Sequence, residues 1–262
     1  MLTKEQTERY ARHIVLKEIG GQGQQKLLAA RVLVIGAGGV GAPVIAYLAA
    51  AGAGTIGVVD DDNVALSNLQ RQVIHTIEDI GYPKTESARA FAELLNPDVR
   101  VVEHRMRLGP GNAQALVAEY DLVIDGSDNF ETRFAVNDAC IAARKTLISA
   151  ALGRFEGNVA TFAPFAGSAE DALPCYRCFV PEAPAYVETC AQAGVLGAVA
   201  GVIGSIAAVE AVKEICGVGD SLAGRLLIYD ALTAEFRTIG LPADPDCPAC
   251  GALRREKEPS VA

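Results

Sequence analysis

No run of lysine or arginine occurs anywhere in this chain of 262 residues, and its formal net charge is −9. Contact along a nucleic-acid backbone requires clustered cations, so an extended nucleic-acid surface is excluded and any bound nucleotide is expected to be small. No secretory leader is expected either. The N-terminus, MLTKEQTERYARHIVLKEIG, spreads its charges through a helical pattern where a leader would place an unbroken apolar core, so a cytoplasmic protein is expected. Repeats and low-complexity linkers are absent, which points to a single domain over 1–262. Within it, N-terminal helices are expected over 1–30, a nucleotide-binding half over 31–165 and a second half over 166–262. Histidine occurs three times, and His13, His75 and His104 share no ligand spacing, so they are assigned no role.

Long apolar runs are almost lacking too. The one membrane-like stretch is CAQAGVLGAVAGVIGSIAAV, residues 190–209, with Gly197, Gly201 and Ser205 at four-residue spacing. Glycine and alanine dominate it, and Glu210 and Lys213 follow at once, so it reads as a helix packed in a dense protein core, and no membrane partner is expected.

What the chain does contain is a regular alternation of apolar strands and amphipathic helices. RVLVIG, TIGVVD, VRVVEHR, DLVIDGSDN and KTLISAAL read as strands, with helices between them. GNVATFAPF, RLLIYDAL and AEFRTIGL read as further strands, possibly antiparallel. The expected fold class is α/β, a Rossmann-like doubly wound, mostly parallel sheet with an antiparallel extension. In such a sheet the site lies beyond the carboxyl ends of the strands.

Three stretches follow strand ends. VLVIGAGGVG carries Gly36, Gly38, Gly39 and Gly41 in the glycine fingerprint of a phosphate-binding turn. Asp60 ends the second strand, 19 residues after Gly41, where an acid accepts hydrogen bonds from ribose hydroxyls or caps a loop. To this point NAD and ATP are served equally. SNLQRQ then supplies Ser67, Asn68, Arg71 and Gln72, and Lys84 follows 13 residues after Arg71. Cations near a phosphate turn exceed what hydride transfer needs, but they suit attack on a phosphate by another anion. Asp128 in GSDN is placed to hold Mg²⁺, with Asn129 beside it. Taken singly, Arg71 and Lys84 are ordinary surface charges, and Asp128 a turn residue or helix cap. At successive strand ends they converge.

Seven cysteines are present. CYRC and CPAC place Cys175, Cys178, Cys247 and Cys250 in the pattern of a four-thiolate, structural Zn²⁺ site that tethers the C-terminal tail, the alternative being redox or unpaired motifs. Cys140 and Cys216 read as core residues. Cys190, in YVETCAQAG, reads equally as a nucleophile at a helix start or as a buried small residue.

RYARHI, GAGGVG, VVDDDNVALSNLQRQ, GYPK, GSDN, PCYRC, ETCAQAGV and CPAC occur in this order. Over about residues 5–251 the chain resembles the MoeB/ThiF/HesA family of ubiquitin-activating-enzyme-like adenylyltransferases, most nearly its molybdopterin-synthase branch. The resemblance implies ATP-dependent adenylation of the C-terminal glycine carboxylate of a small ubiquitin-like sulfur-carrier protein, ahead of thiocarboxylate formation for molybdenum-cofactor biosynthesis. A thiamine-pathway carrier, or a non-catalytic zinc-stabilised subunit, is the alternative. Carried onto this sequence, Gly39 and its neighbours contact ATP, Asp60 the ribose, Asn68, Arg71 and Lys84 the phosphates, and Asp128 the metal. Asp62 completes the family's D-x-D pattern. Arg12 matches an arginine that reaches the triphosphate from the partner subunit of a homodimer. Cys190 matches a cysteine that links to the carrier in thiamine-pathway relatives. Without a rhodanese-like domain, sulfur is expected from a separate donor protein.

Overall fold

Three short helices open the chain in the computed structural model, which describes residues 2–168, 171–184 and 193–255. They are α1 (Lys4–Arg9), α2 (Ala11–Ile14) and α3 (Gly20–Ala29). Thr3 starts α1 through a reciprocal capping box: its hydroxyl accepts the Gln6 N–H, and the Gln6 side chain accepts the Thr3 N–H, both at 3.1 Å. Tyr10, between α1 and α2, is buried, and its hydroxyl accepts from Asn96 Nδ2 at 2.8 Å.

From there strands and helices alternate: β1 (Arg31–Ile35), α4 (Gly41–Ala51), β2 (Thr55–Val59), α5 (Lys84–Leu95), β3 (Arg100–His104), α6 (Ala113–Ala118), β4 (Leu122–Asp125), α7 (Phe130–Ala143) and β5 (Thr146–Leu152). Then come β6 (Glu156–Phe162), α8 (Tyr176–Phe179), α9 (Gly197–Cys216), β7 (Arg225–Asp230), β8 (Glu235–Gly240) and α10 (Gly251–Arg255). One sheet contains all the strands in the order β3-β2-β1-β4-β5-β6-β7-β8. The first five are parallel, whereas β6, β7 and β8 each pair antiparallel to the strand before them. Chain order reverses direction between β1 and β4, so the crevice of the fold opens there.

β1 and β4 are apolar almost throughout because helices cover both faces of the sheet. One apolar layer joins residues of α4, α5 and α9 with Val32, Val34, Ile56, Ile124 and Ile148. The other packs α6 and α7 with Leu33, Ile35, Tyr120, Val123 and Phe162. α6 is a single short stretch whose buried residues, Ala113, Leu116 and Val117, fall at i, i+3 and i+4 on the face turned to the sheet.

The small residues of α9 serve close packing, though not at all the positions that their spacing suggests. A Cβ on Gly204 would lie 2.3 Å from Pro43 Cγ, and one on Gly197 2.1 Å from Gln70 O, whereas Gly201 faces open space. Ser205 turns back to its own helix and donates to Gly201 O at 2.6 Å. Among the described residues no helix is long and apolar enough to cross a membrane.

Asn96 is fully buried and donates to both Tyr10 Oη and Ala49 O, tying the N-terminal helices to α4. Asn96→Ala takes the donor from the buried Tyr10 hydroxyl and leaves Ala49 O with the Gly52 N–H alone, and is expected to cost about 2 kcal/mol. Thermal denaturation checks this as a fall in Tm of several degrees.

Candidate active site

The glycine turn joins β1 to α4, and its glycines are required for different reasons. Gly36 has φ +87°, a left-handed conformation that a side chain would strain. Gly41 begins α4 so close to the end of β1 that a Cβ would lie 1.7 Å from Gly36 O. It therefore serves packing and does not line the cleft. Gly36, Gly38 and Gly39 do line it. Among the described residues, neither the Gly38 nor the Gly39 N–H meets an acceptor.

Asp60, just past β2, accepts the Ala37 N–H at 2.8 Å through Oδ2 and the Asp62 N–H at 2.9 Å through Oδ1. Burial pushes its carboxyl above the usual range, against the pull of Lys84 and the two backbone donors. Pro83 caps α5, so Lys84 is the first residue of that helix. The Lys84 ammonium lies 2.6 Å from Asp62 Oδ2 and 3.8 Å from Asp60 Oδ1, with its side chain only 6% exposed. The Asp62 side chain is 68% exposed; it steers the lysine as well as solvating its loop.

Between β2 and α5, a 3-10 turn at Leu66–Asn68 presents the amide and guanidinium groups of SNLQRQ. Asn68 Oδ1 accepts from Ala65 N at 3.1 Å, and Arg71 Nη1 donates to Ser67 O at 3.0 Å. Ser67 thus contributes its carbonyl as a brace for Arg71 and stays outside the cleft lining. Gln72 is buried, and its Oε1 has no hydrogen-bond partner among the described residues.

Asp128 is exposed on the loop after β4, while Asn129 caps α7 by accepting the Thr132 N–H at 2.9 Å. Arg133, which the sequence reading passed over, is buried on α7. It donates to Ser127 O, to Ala150 O at 3.0 Å and to Ser149 Oγ at 3.0 Å. The arginine therefore pins the Asp128 loop to β5. A sequence signal existed: Arg133 lies four residues after the cap, on the helix face that starts at the cleft.

These groups surround one cleft of about 540 Å³. Asp60, Asp62, Asn68, Arg71, Gln72, Lys84, Asp128, Asn129 and Arg133 line its polar side, and Val59, Met106, Leu108 and Phe130 give an apolar wall. Arg12 lies exposed on α2 and does not line the cleft of its own chain. Cys190 falls outside the described residues.

The four cysteines of the two C-x-x-C pairs converge, with all four Sγ atoms within 4.8 Å of one another. Cys175 and Cys247 lie 3.6 Å apart, Cys178 and Cys250 3.5 Å, and Cys175 and Cys178 3.9 Å. Thiolates at Zn–S distances of ~2.3 Å on a tetrahedron stand about 3.8 Å apart, so the donor set fits a Zn²⁺ ion. Hydrogen bonds from Cys175 and Cys250 hold the Cys178 thiol down to about 2, and the same crowding pushes Cys175 up to about 12. Thiolates so close together repel unless a cation lies among them. Asp244 N donates to Cys178 Sγ at 3.4 Å, and Asn137 of α7 accepts the Tyr176 N–H at 2.8 Å, so the cluster is fastened to the helix that carries Arg133. Cys140 and Cys216 are buried core residues.

A ThiF family model matches residues 10–249. The chain belongs to the ThiF family. It is 48% identical to the SAMP-activating enzyme E1 of Haloferax volcanii, over 94% of this chain and 89% of that protein. It is 46% identical to the sulfur carrier protein adenylyltransferase of Thermus thermophilus, over 98% of this chain and 95% of that one. With the adenylyltransferase and sulfurtransferase MOCS3 of Bos taurus it shares 47% identity over 95% of its own length, but spans only 54% of that relative. Its fold matches the crystal structure of E. coli MccB with a TM-score of 0.81 at 23% identity, over 94% of this chain and 74% of that one. As a member of this family the chain is an adenylyltransferase.

Two tests follow from the geometry. Cys175→Ser breaks the thiolate set and is expected to lower both thermal stability and bound zinc; metal analysis showing one zinc per chain in the variant would sink the assignment. Asp60, with its pKa raised by burial, adds stability below the ordinary carboxylate range, and that contribution is lost as pH climbs through the raised value. Asp60→Asn is therefore expected to flatten this loss between acid and neutral pH, as read from Tm across that range.

Proposed function

We propose that this ThiF-family enzyme adenylates the C-terminal glycine carboxylate of a small ubiquitin-like sulfur-carrier protein at the expense of ATP. The observation that carries this reading is that Arg71 and Lys84 line the same cleft as Gly38 and Gly39, whose N–H groups meet no acceptor among the described residues, with Asp60 at the neighbouring strand end. Asp60 suits the ribose, the glycine turn and the two cations suit a triphosphate, and the wall of Val59, Met106, Leu108 and Phe130 suits a purine.

In this reaction a carboxylate oxygen of the carrier attacks the α-phosphorus. The bond from that phosphorus to the bridging oxygen breaks, and pyrophosphate leaves with the bond's electron pair. No proton has to move, so the protein's task is electrostatic: negative charge gathers on the phosphate oxygens, and Arg71 and Lys84 stand where it gathers. Lys84 is already extended into the cleft by Asp62, so little reorganisation precedes reaction. Mg²⁺, held by Asp128 at the cleft mouth, would supply further neutralisation of the phosphates when bound. Asn68, Gln72 and Asn129 offer amides to the same oxygens.

The names of the full-length relatives support a sulfur carrier as substrate, and the molybdopterin-synthase carrier is the member of that class favoured here. The reading includes a second copy of the chain that brings exposed Arg12 to the triphosphate, a separate sulfur donor, a cytoplasmic setting and a single domain clasped by structural zinc at Cys175, Cys178, Cys247 and Cys250. Cys190 stays a candidate for covalent attachment of the carrier.

ATP–pyrophosphate exchange that depends on a carrier ending in Gly-Gly is the expected activity, and its absence with molybdopterin-type and thiamine-type carriers alike would overturn the proposal. Asp128→Ala is expected to lower exchange on the order of 100-fold or more with Tm unchanged.

A further inference from the structure

His75 was given no role by its position in the sequence, yet it is buried directly beneath the glycine turn, with 5% of its surface exposed. Its Nε2 lies 3.0 Å from Ala37 O, and its Nδ1 lies 2.7 Å from Ser87 Oγ. A carbonyl only accepts, so Nε2 carries the ring proton and donates to Ala37. Burial pushes the ring's pKa below the usual histidine value, and in the neutral ring Nδ1 accepts from the Ser87 hydroxyl. Ser87 belongs to α5, the helix that begins with Lys84. One side chain therefore hydrogen-bonds both the phosphate turn and the helix of the cleft lysine.

The bond to Ala37 has a geometric consequence. The Ala37 carbonyl and the Gly38 N–H belong to one peptide, and in a trans peptide they point in opposite directions. Holding the carbonyl inward on His75 turns the Gly38 N–H outward, on a residue that lines the cleft. Nothing local enforces that choice. A half-turn of this peptide would change the sign of φ at residue 38, and glycine tolerates either sign. After such a turn a carbonyl oxygen would face the phosphates in place of a donor.

We infer that His75 is a positioning residue that locks the Ala37–Gly38 peptide with its N–H toward the phosphates and sets the turn in register with Lys84. The inference rests on the ATP reading above and adds the group that selects the orientation of the turn. Asp60 holds the other face of Ala37 through its N–H, so both polar groups of that residue are fixed from outside the turn.

The test compares three variants by titration with ATP and with adenosine, which keeps the base and ribose but has no phosphate. In His75→Gln the amide nitrogen occupies the place of Nε2 and keeps the donor to Ala37. In His75→Asn the shorter amide reaches Ser87 but not Ala37, and His75→Leu removes both bonds. The Asn and Leu variants are expected to lose about tenfold in ATP affinity while adenosine affinity stays within about twofold, with Gln close to wild type for both ligands. Unchanged ATP affinity in a folded Asn or Leu variant would overturn the inference. So would equal losses for ATP and adenosine, the mark of a merely structural residue. Wild-type protein that binds neither ligand would overturn the ATP reading itself and the inference with it, an outcome distinct from the other two. If one of the two non-donor variants fails to fold, the other carries the comparison.

Discussion

Asp60 spans the gap between the glycine turn and the loop after β2, with one oxygen on the Ala37 N–H at 2.8 Å and the other on the Asp62 N–H at 2.9 Å. The rest of the cleft depends on this buried carboxylate. It joins the segment that offers backbone donors to the segment that carries Arg71 and Lys84, and it keeps Lys84 within 3.8 Å. Its cost is visible in its chemistry, since burial works against the charged form that these bonds require.

Around Asp60 the cleft is assembled from three strand ends, each anchored by a buried polar group. His75 holds the glycine turn and α5 together, and Arg133 holds the Asp128 loop to β5. Neither cation nor ring is free to wander, because each is tied to backbone carbonyls that only accept. Arg133 is followed on α7 by Asn137, which grips the Cys175–Cys178 segment through Tyr176 N. The cysteine cluster is thus fastened to the middle of the same helix whose beginning shapes the cleft.

Much of this was legible in the residues. GAGGVG, the acid 19 residues on, and the two C-x-x-C pairs carry their meaning in spacing, because a tight turn, a strand end and a tetrahedral thiolate set each demand particular residues at short range. Gly41 and Ser67 were harder. Both sit inside binding motifs, yet Gly41 serves contact with Gly36 and Ser67 lends its carbonyl to Arg71. A motif shows which residues travel together and does not separate those that touch a ligand from those that hold the touching ones. The stripe on α9 held only in part: Gly197 is crowded by Gln70 O, but Gly201 faces open space, and Gly204, outside the four-residue spacing, is the position that Pro43 crowds.

The sequence alone determined the sheet class, the order in which the glycine turn, Asp60 and the SNLQRQ segment follow the strand ends, the two cysteine pairs that converge and the family resemblance. All of these are local patterns, or repeats of them along the chain. Only the tertiary structure decided what His75 and Arg133 do. Their partners, Ala37, Ser127 and Ala150, offer backbone carbonyls that every residue possesses, so no side-chain pattern marks the pairing. Such roles come from where the fold turns a peptide, and that direction is set by contacts between elements distant in sequence.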